Sequence, residues 1–206
     1  MSTKIKTTLV AGALLMALAN PAFATEAGDW AISLGVHVVD PASDNGTLAD
    51  GAFDVSVHSD WQPTITAEYF FTPNLGLEVL ASLPFDHDIY LNGVEAGSTR
   101  QLPPTFTLQY HFDGKTVSPF IGAGLNYTLF YDQDTTGPLQ GAELDLGNSW
   151  GLTARAGLDF KIGEKQAIRV DIRWVDISSD VSVNGDDVGT VDIDPIVYGV
   201  AYVWNL

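Results

Sequence analysis

The 206-residue chain has no cysteine, and only nine lysines and arginines against 26 aspartates and glutamates, a formal charge of −17. Without cysteine, an exported fold of this size must hold together without disulfides. So few cations exclude a nucleic-acid partner, because a phosphate backbone is gripped by clustered lysine and arginine. Beyond the first two dozen residues there is no uncharged apolar run of about 18 residues, so no helix is expected to cross a membrane. Histidine is scarce as well. His37, His58, His87 and His111 are scattered without ligand spacing, and neither a metal site nor a cofactor is expected.

What is present is hydrophobicity in alternation. Hydrophobic residues make up 46% of the chain, yet they fall on every second position rather than in blocks. The stretch Trp150–Ile162 is the clearest case. Trp150, Leu152, Ala154, Ala156, Leu158, Phe160 and Ile162 alternate with Gly151, Thr153, Arg155, Gly157, Asp159 and Lys161. Successive side chains of a strand point to opposite faces, so this segment has one oily face and one wet face that carries charge. A soluble sandwich would turn the oily face inward, whereas a membrane barrel turns it to lipid and lines its lumen with the other.

The first residues read as an export signal. Met1–Ala24 carries Lys4 and Lys6, an apolar run from Leu9 to Leu18, Pro21 and an Ala22-Phe23-Ala24 end. This is the form of a cleaved leader, too short in its apolar centre for a helical anchor. The mature chain is then expected at 25–206, one domain.

Seven further segments share the alternation: Trp30–Val38, Thr64–Phe71, Leu75–Leu83, Thr105–Phe112, Phe120–Tyr131, Ala167–Ile177 and Ile196–Leu206. Their connections alternate too. Short turns lie at 72–74, 113–118 and 163–166, and long loops at 39–63, 84–104, 132–149 and 178–195. An even number of strands with short turns at one end and long loops at the other predicts an all-β fold. It is an eight-stranded antiparallel transmembrane β-barrel of the outer membrane, with short periplasmic turns and long extracellular loops. Closing the sheet also removes the free edge that lipid would not tolerate. Aromatic residues gather towards segment ends, as interfacial girdles require.

Charge is sorted by place. Eighteen of the 26 acids fall in the four long loops or, for Asp176, at the margin of the last, with Arg100 the only basic residue among them. A solvated acidic rim is the expectation; loose bridging by divalent cations to lipopolysaccharide is the alternative, but the loops lack calcium-binding spacing. On the predicted lumen face stand Glu68, Glu78, Asp159 and Asp171 with Arg155, Arg169 and Arg173. Charges in so narrow a lumen need partners, so a salt-bridged plug is expected rather than a catalytic cluster. An outer-membrane lipid hydrolase would need a serine, a base and an orienting acid within reach. No histidine here stands at a recognisable spacing from such a serine.

Several motifs in order resemble the outer-membrane protein W (OmpW) family: Pro84-Phe85 with His87 and Ile89, Leu102-Pro103-Pro104-Thr105 with Gln109-Tyr110, Pro119 to Tyr127, and Asn148-Ser149-Trp150-Gly151 with Gly157 and Asp159. Phe120 stands where that family usually has tyrosine, and Leu206 where outer-membrane barrels usually end in phenylalanine. The resemblance, which extends to the alkane-uptake porins similar to that family, implies a narrow apolar passage. The resemblance further implies that small apolar solutes would enter it from outside and leave sideways into the membrane. The implied partners are outer-membrane lipid and lipopolysaccharide, the barrel-assembly machinery and the apolar solutes themselves.

For such a passage the candidate residues are Leu48, Phe53, Val55, Val57, Leu80, Leu83, Phe85, Ile89, Phe130, Trp150 and Val175. Proline cannot donate to a sheet ladder, so Pro84, Pro103 and Pro104 on neighbouring strands are candidates for an opening in the wall; their plainer role is to end strands. A sealed barrel serving as a surface receptor, an adhesin or a structural protein needs the same wall, and the strands alone do not separate it from a channel.

Overall fold

A computed structural model describes residues 25–206; the expected leader, 1–24, lies outside the described residues. The strands in chain order are β1 (Trp30–Asp40), β2 (Thr47–Leu48), β3 (Phe53–Val57), β4 (Asp60–Thr72), β5 (Leu75–Ser82), β6 (Phe85–Leu91), β7 (Val94–Leu102), β8 (Thr105–His111), β9 (Val117–Thr135), β10 (Leu144–Leu146), β11 (Ser149–Lys161), β12 (Gln166–Val175), β13 (Ser178–Val183), β14 (Asp186–Asp192) and β15 (Ile196–Asn205).

Eight of them close a ring, every pair antiparallel. β1 pairs β4, β4 pairs β5, and β5 pairs β8, after which β9, β11, β12 and β15 follow in turn. β15 then returns to β1 from Ala31↔Asn205 to Asp40↔Ile196. These eight staves coincide with the eight alternating segments to within a few residues at each end.

The ring is apolar outside and polar inside, the reverse of a soluble core. On β11 Trp150, Leu152, Leu158 and Phe160 are exposed, while Ser149, Thr153, Arg155 and Asp159 are buried. The same inversion runs round the ring: Leu34, Ile65, Leu108, Leu125, Val170 and Val200 face out, and Ser33, Thr66, Thr107 and Asn126 face in. Only hydrocarbon makes an outward row of leucine and valine favourable. Aromatics band both rims. Trp61, Trp150 and Trp174 mark the loop end, and Trp30, Phe71, Phe112 and Phe160 mark the turn end.

The long connections differ from the expectation of loops. They are themselves strands that carry the wall beyond the membrane belt. β6 and β7 form a hairpin with the turn Asn92-Gly93, both at positive φ. β13 and β14 form another with the turn Asn184-Gly185, again both at positive φ. Asn-Gly supplies the left-handed pair that a tight hairpin turn demands. β7 also pairs the outer end of β9, and β3 pairs β6. This outer lobe reverses the polarity of the ring: its inside is a cluster of Leu48, Val55, Ile89, Leu91, Leu144, Val181 and Val191, and its outside is acidic.

Candidate functional site

The lumen is a stack of three levels, set by which residues the staves point inward. At mid-height sits the ionic plug. Glu78 on β5 reaches across the ring to all three arginines, which stand on the opposite staves β11 and β12. Arg155 donates to Glu78 Oε1 and grips Asp171 with two nitrogens, at 2.9 and 2.8 Å. Arg169 donates to Glu78 Oε2 at 3.1 Å and grips Asp159 the same way, at 2.7 and 2.9 Å. Such forked pairs are the strong geometry for arginine and carboxylate. Arg173 donates only from Nη2, to Glu78 Oε1 at 3.0 Å. Glu68 joins through Arg169 at 3.5 Å and accepts from His111 Nε2 at 2.8 Å. All seven charged side chains expected in the lumen therefore meet in one network, and each is at least 95% buried.

Two features of the plug were not read from the sequence. The ring of Phe120 is fully buried between the guanidiniums of Arg155 and Arg169, 5.1 and 4.5 Å from its centroid. Gly157 leaves the space for it, since a Cβ there would collide with that ring. His37 sits above, its Nδ1 2.6 Å from the Thr64 hydroxyl, against the bare backbone of Gly199. Gly157 and Gly199 on the polar rows were the available signal: each marks an inward place where an aromatic ring takes the room.

Above the plug the inward residues turn aliphatic within one step of two. His37 is followed by Val39 on β1, Glu78 by Leu80 on β5, and Arg173 by Val175 on β12, and all three aliphatics are buried. They belong to a small inner chamber of about 30 Å³ that Phe85, Pro103 and Val197 also line. Beyond it the outer lobe encloses a second chamber of about 200 Å³. Of the passage candidates, Leu48, Phe53, Val55, Val57, Ile89 and Phe130 line the outer chamber, and Leu80, Phe85 and Val175 the inner one. A single contiguous apolar cluster joins the two levels.

Two candidates are corrected. Leu83 is 58% and Trp150 69% exposed, so both lie on the outer surface and not in the passage. The reason is parity: each occupies an oily position of its own alternating segment, and that row faces lipid.

The three prolines fall together. Between β5 and β8 the last paired residues are Leu80↔Thr105, and the ladder resumes only at Phe85↔Gln101 between β6 and β7. Across that interval Ala81 to Pro84 stand opposite Leu102 to Pro104 without a backbone pair. Pro103 borders the inner chamber directly.

His87 and Thr99 are the polar members of the outer chamber's wall. His87 Nδ1 donates to the His58 carbonyl at 2.7 Å, so its Nε2 accepts from Gln101 at 2.9 Å, which assigns the neutral tautomer. Burial holds its pKa below the usual histidine value, against the opposing pull of the His58 carbonyl, Asp60, Asp86 and Asp88. His58 stacks on Tyr90 with ring centroids 4.3 Å apart. Below the plug the turn end opens into a third space, bordered by His111, Lys161 and Asn205 together with Phe70 and Val203.

Comparison with known proteins agrees with this architecture. Residues 26–206 match the OmpW family. The chain is 34% identical to outer membrane protein W of Vibrio cholerae serotype O1, over 96% of this chain and 98% of that protein. It is 26% identical to outer membrane protein AlkL of Ectopseudomonas oleovorans, over 86% and 83% of the two chains. The crystal structure of the outer membrane protein OprG from Pseudomonas aeruginosa superposes with a TM-score of 0.80 at 30% identity, over 90% of this chain and 99% of that one.

Proposed function

The chain belongs to the OmpW family of outer-membrane barrels, and from that premise we propose that it is a passive channel for small apolar solutes. Solutes enter the outer chamber from outside, descend to the inner chamber and leave sideways through the gap in the wall at Pro84, Pro103 and Pro104. The observation that carries this reading is the coincidence of three things at one height. The apolar interior ends there, the ionic plug blocks the way down, and the ladder between neighbouring strands is interrupted. A solute that has reached that level faces charge below and hydrocarbon beside it.

The thermodynamics fit. An apolar molecule is repelled by the charged outer leaflet surface but gains about 0.8 kcal/mol per methylene on leaving water, so the route is downhill and needs no energy source. Reconstituted in liposomes, the protein should speed the uptake of an apolar dye, and the double variant Pro103→Val and Pro104→Val should slow it severalfold. Uptake undiminished by that change would remove the lateral exit from the proposal.

The plug also favours a second reading, a sealed barrel that only displays its acidic lobe as a receptor or adhesin. In that case liposomes with and without the protein would take up the dye equally.

A further inference from the structure

The upper surface of the plug is not balanced. Arg155 and Arg169 each hold a carboxylate of their own in a two-pronged grip as well as sharing Glu78. Arg173 shares Glu78 and holds nothing else among the described residues. Its Nε and Nη1 are without a partner, although the residue is only 2% exposed. A buried cationic donor left unmet is costly, on the scale of a full charge-assisted hydrogen bond. This one borders the inner chamber, which the aliphatic Val39, Leu80, Val175 and Val197 line together with the polar Thr64, Gln101, Thr105 and Asn126. His37 lies on the same floor, its Nε2 3.5 Å from Asp171 Oδ1.

We propose that the inner chamber is a binding site for the anionic head of an amphiphile, a saturated monocarboxylate of the fatty-acid class. The carboxylate accepts from Nη1 of the Arg173 guanidinium, a donor that the Glu78 contact through Nη2 leaves unmet. The chain rises through the contiguous apolar cluster into the outer chamber. The dimensions divide accordingly: about 30 Å³ beside Arg173 admits a group of carboxylate size but no alkyl chain, and about 200 Å³ lies above. This rests on the transport reading and narrows it, from apolar solutes in general to those with one acidic end.

The test uses the full barrel in phosphatidylcholine vesicles at neutral pH, with dodecanoate, dodecanol, acetate and chloride as probes. The first readout is the arginine side-chain N–H resonance of Arg173, identified by its loss in Arg173→Met. Dodecanoate should shift it at concentrations where dodecanol does not. An equal response to chloride or acetate would mean a small-anion site only, and no response to dodecanoate would mean none; either overturns the inference. The second readout is uptake. The ratio of dodecanoate to dodecanol rates should fall about tenfold or more in Arg173→Met, the equivalent of one lost charge-assisted hydrogen bond, with Arg173→Lys between. An unchanged ratio overturns the inference and leaves the channel standing. If neither solute outpaces protein-free vesicles, the channel reading fails, while the resonance still decides the head site. That resonance is read on the unaltered protein, so a variant that does not fold removes only the second arm.

Discussion

The ring in the membrane and the lobe above it are built from the same continuous wall with opposite polarity. Along β5 the inward residues include Glu78 and the outward ones Leu77 and Val79; along β6, across Pro84, the inward residues are Phe85, Ile89 and Leu91 and the outward ones Asp86 and Asp88. The backbone does not care which way round it is. What changes is the solvent, from hydrocarbon to water, and with it which face must be oily. The lumen inherits the inverse of its surroundings: charge where the outside is lipid, aliphatic where the outside is wet. A binding chamber for apolar molecules therefore arises in the lobe and stops where the lobe meets the belt.

The largest expected effect comes from breaking the inside of the ring. Glu78→Leu leaves three buried guanidiniums without their common carboxylate and should cost about 3–5 kcal/mol in urea unfolding from vesicles. The outside of the ring comes next. Val170→Arg places a charge against hydrocarbon and should cost about 2–4 kcal/mol, whereas Asp186→Arg on the exposed lobe should stay within about 0.5 kcal/mol. Similar costs at the two sites would mean that they face the same solvent, and the contrast would be lost.

Within the lobe, Gly185→Val forces a β-branched side chain to φ +83° and should cost about 1 kcal/mol or more. The loss should be confined to the β13–β14 hairpin, read as faster amide exchange over 178–192 with the ring unaffected. The smallest effect is that of acid on His87. Its folded pKa lies below the ordinary value of about 6.5, so the unfolded lobe takes up the proton first as pH falls. The stability that neutral His87 contributes is complete above about 6.5 and is lost as pH drops below it. Amides of β6 should exchange faster on acidification, and His87→Gln should flatten that response.

The ring was legible in the sequence because lipid imposes a strict period of two, which no loop or helix imitates. The plug was legible for the same reason: Arg155, Arg169, Arg173, Glu78 and their partners all fall on the polar rows. The same parity, applied to Leu83 and Trp150, places both outside. Choosing them as passage residues weighed their size over their position. The lobe was less legible. Its strands are short and studded with aspartate, which reads as loop, and their inward residues answer to a water-filled exterior rather than to lipid. The pairs Asn92-Gly93 and Asn184-Gly185 were the overlooked hairpin signals. The fill of the plug by Phe120, and the unequal share given to Arg173, depend on distances across the barrel that no local pattern encodes.

The seam between β1 and β15 runs through ten backbone pairs. Because the first stave mates with the last, the wall has no boundary until the whole sequence between them has been laid down in place. Seven staves alone would leave two raw margins of unmet amides in oil. Insertion is thus an all-or-none event policed by geometry, and a single defective stave anywhere is felt at the zip that shuts the circle.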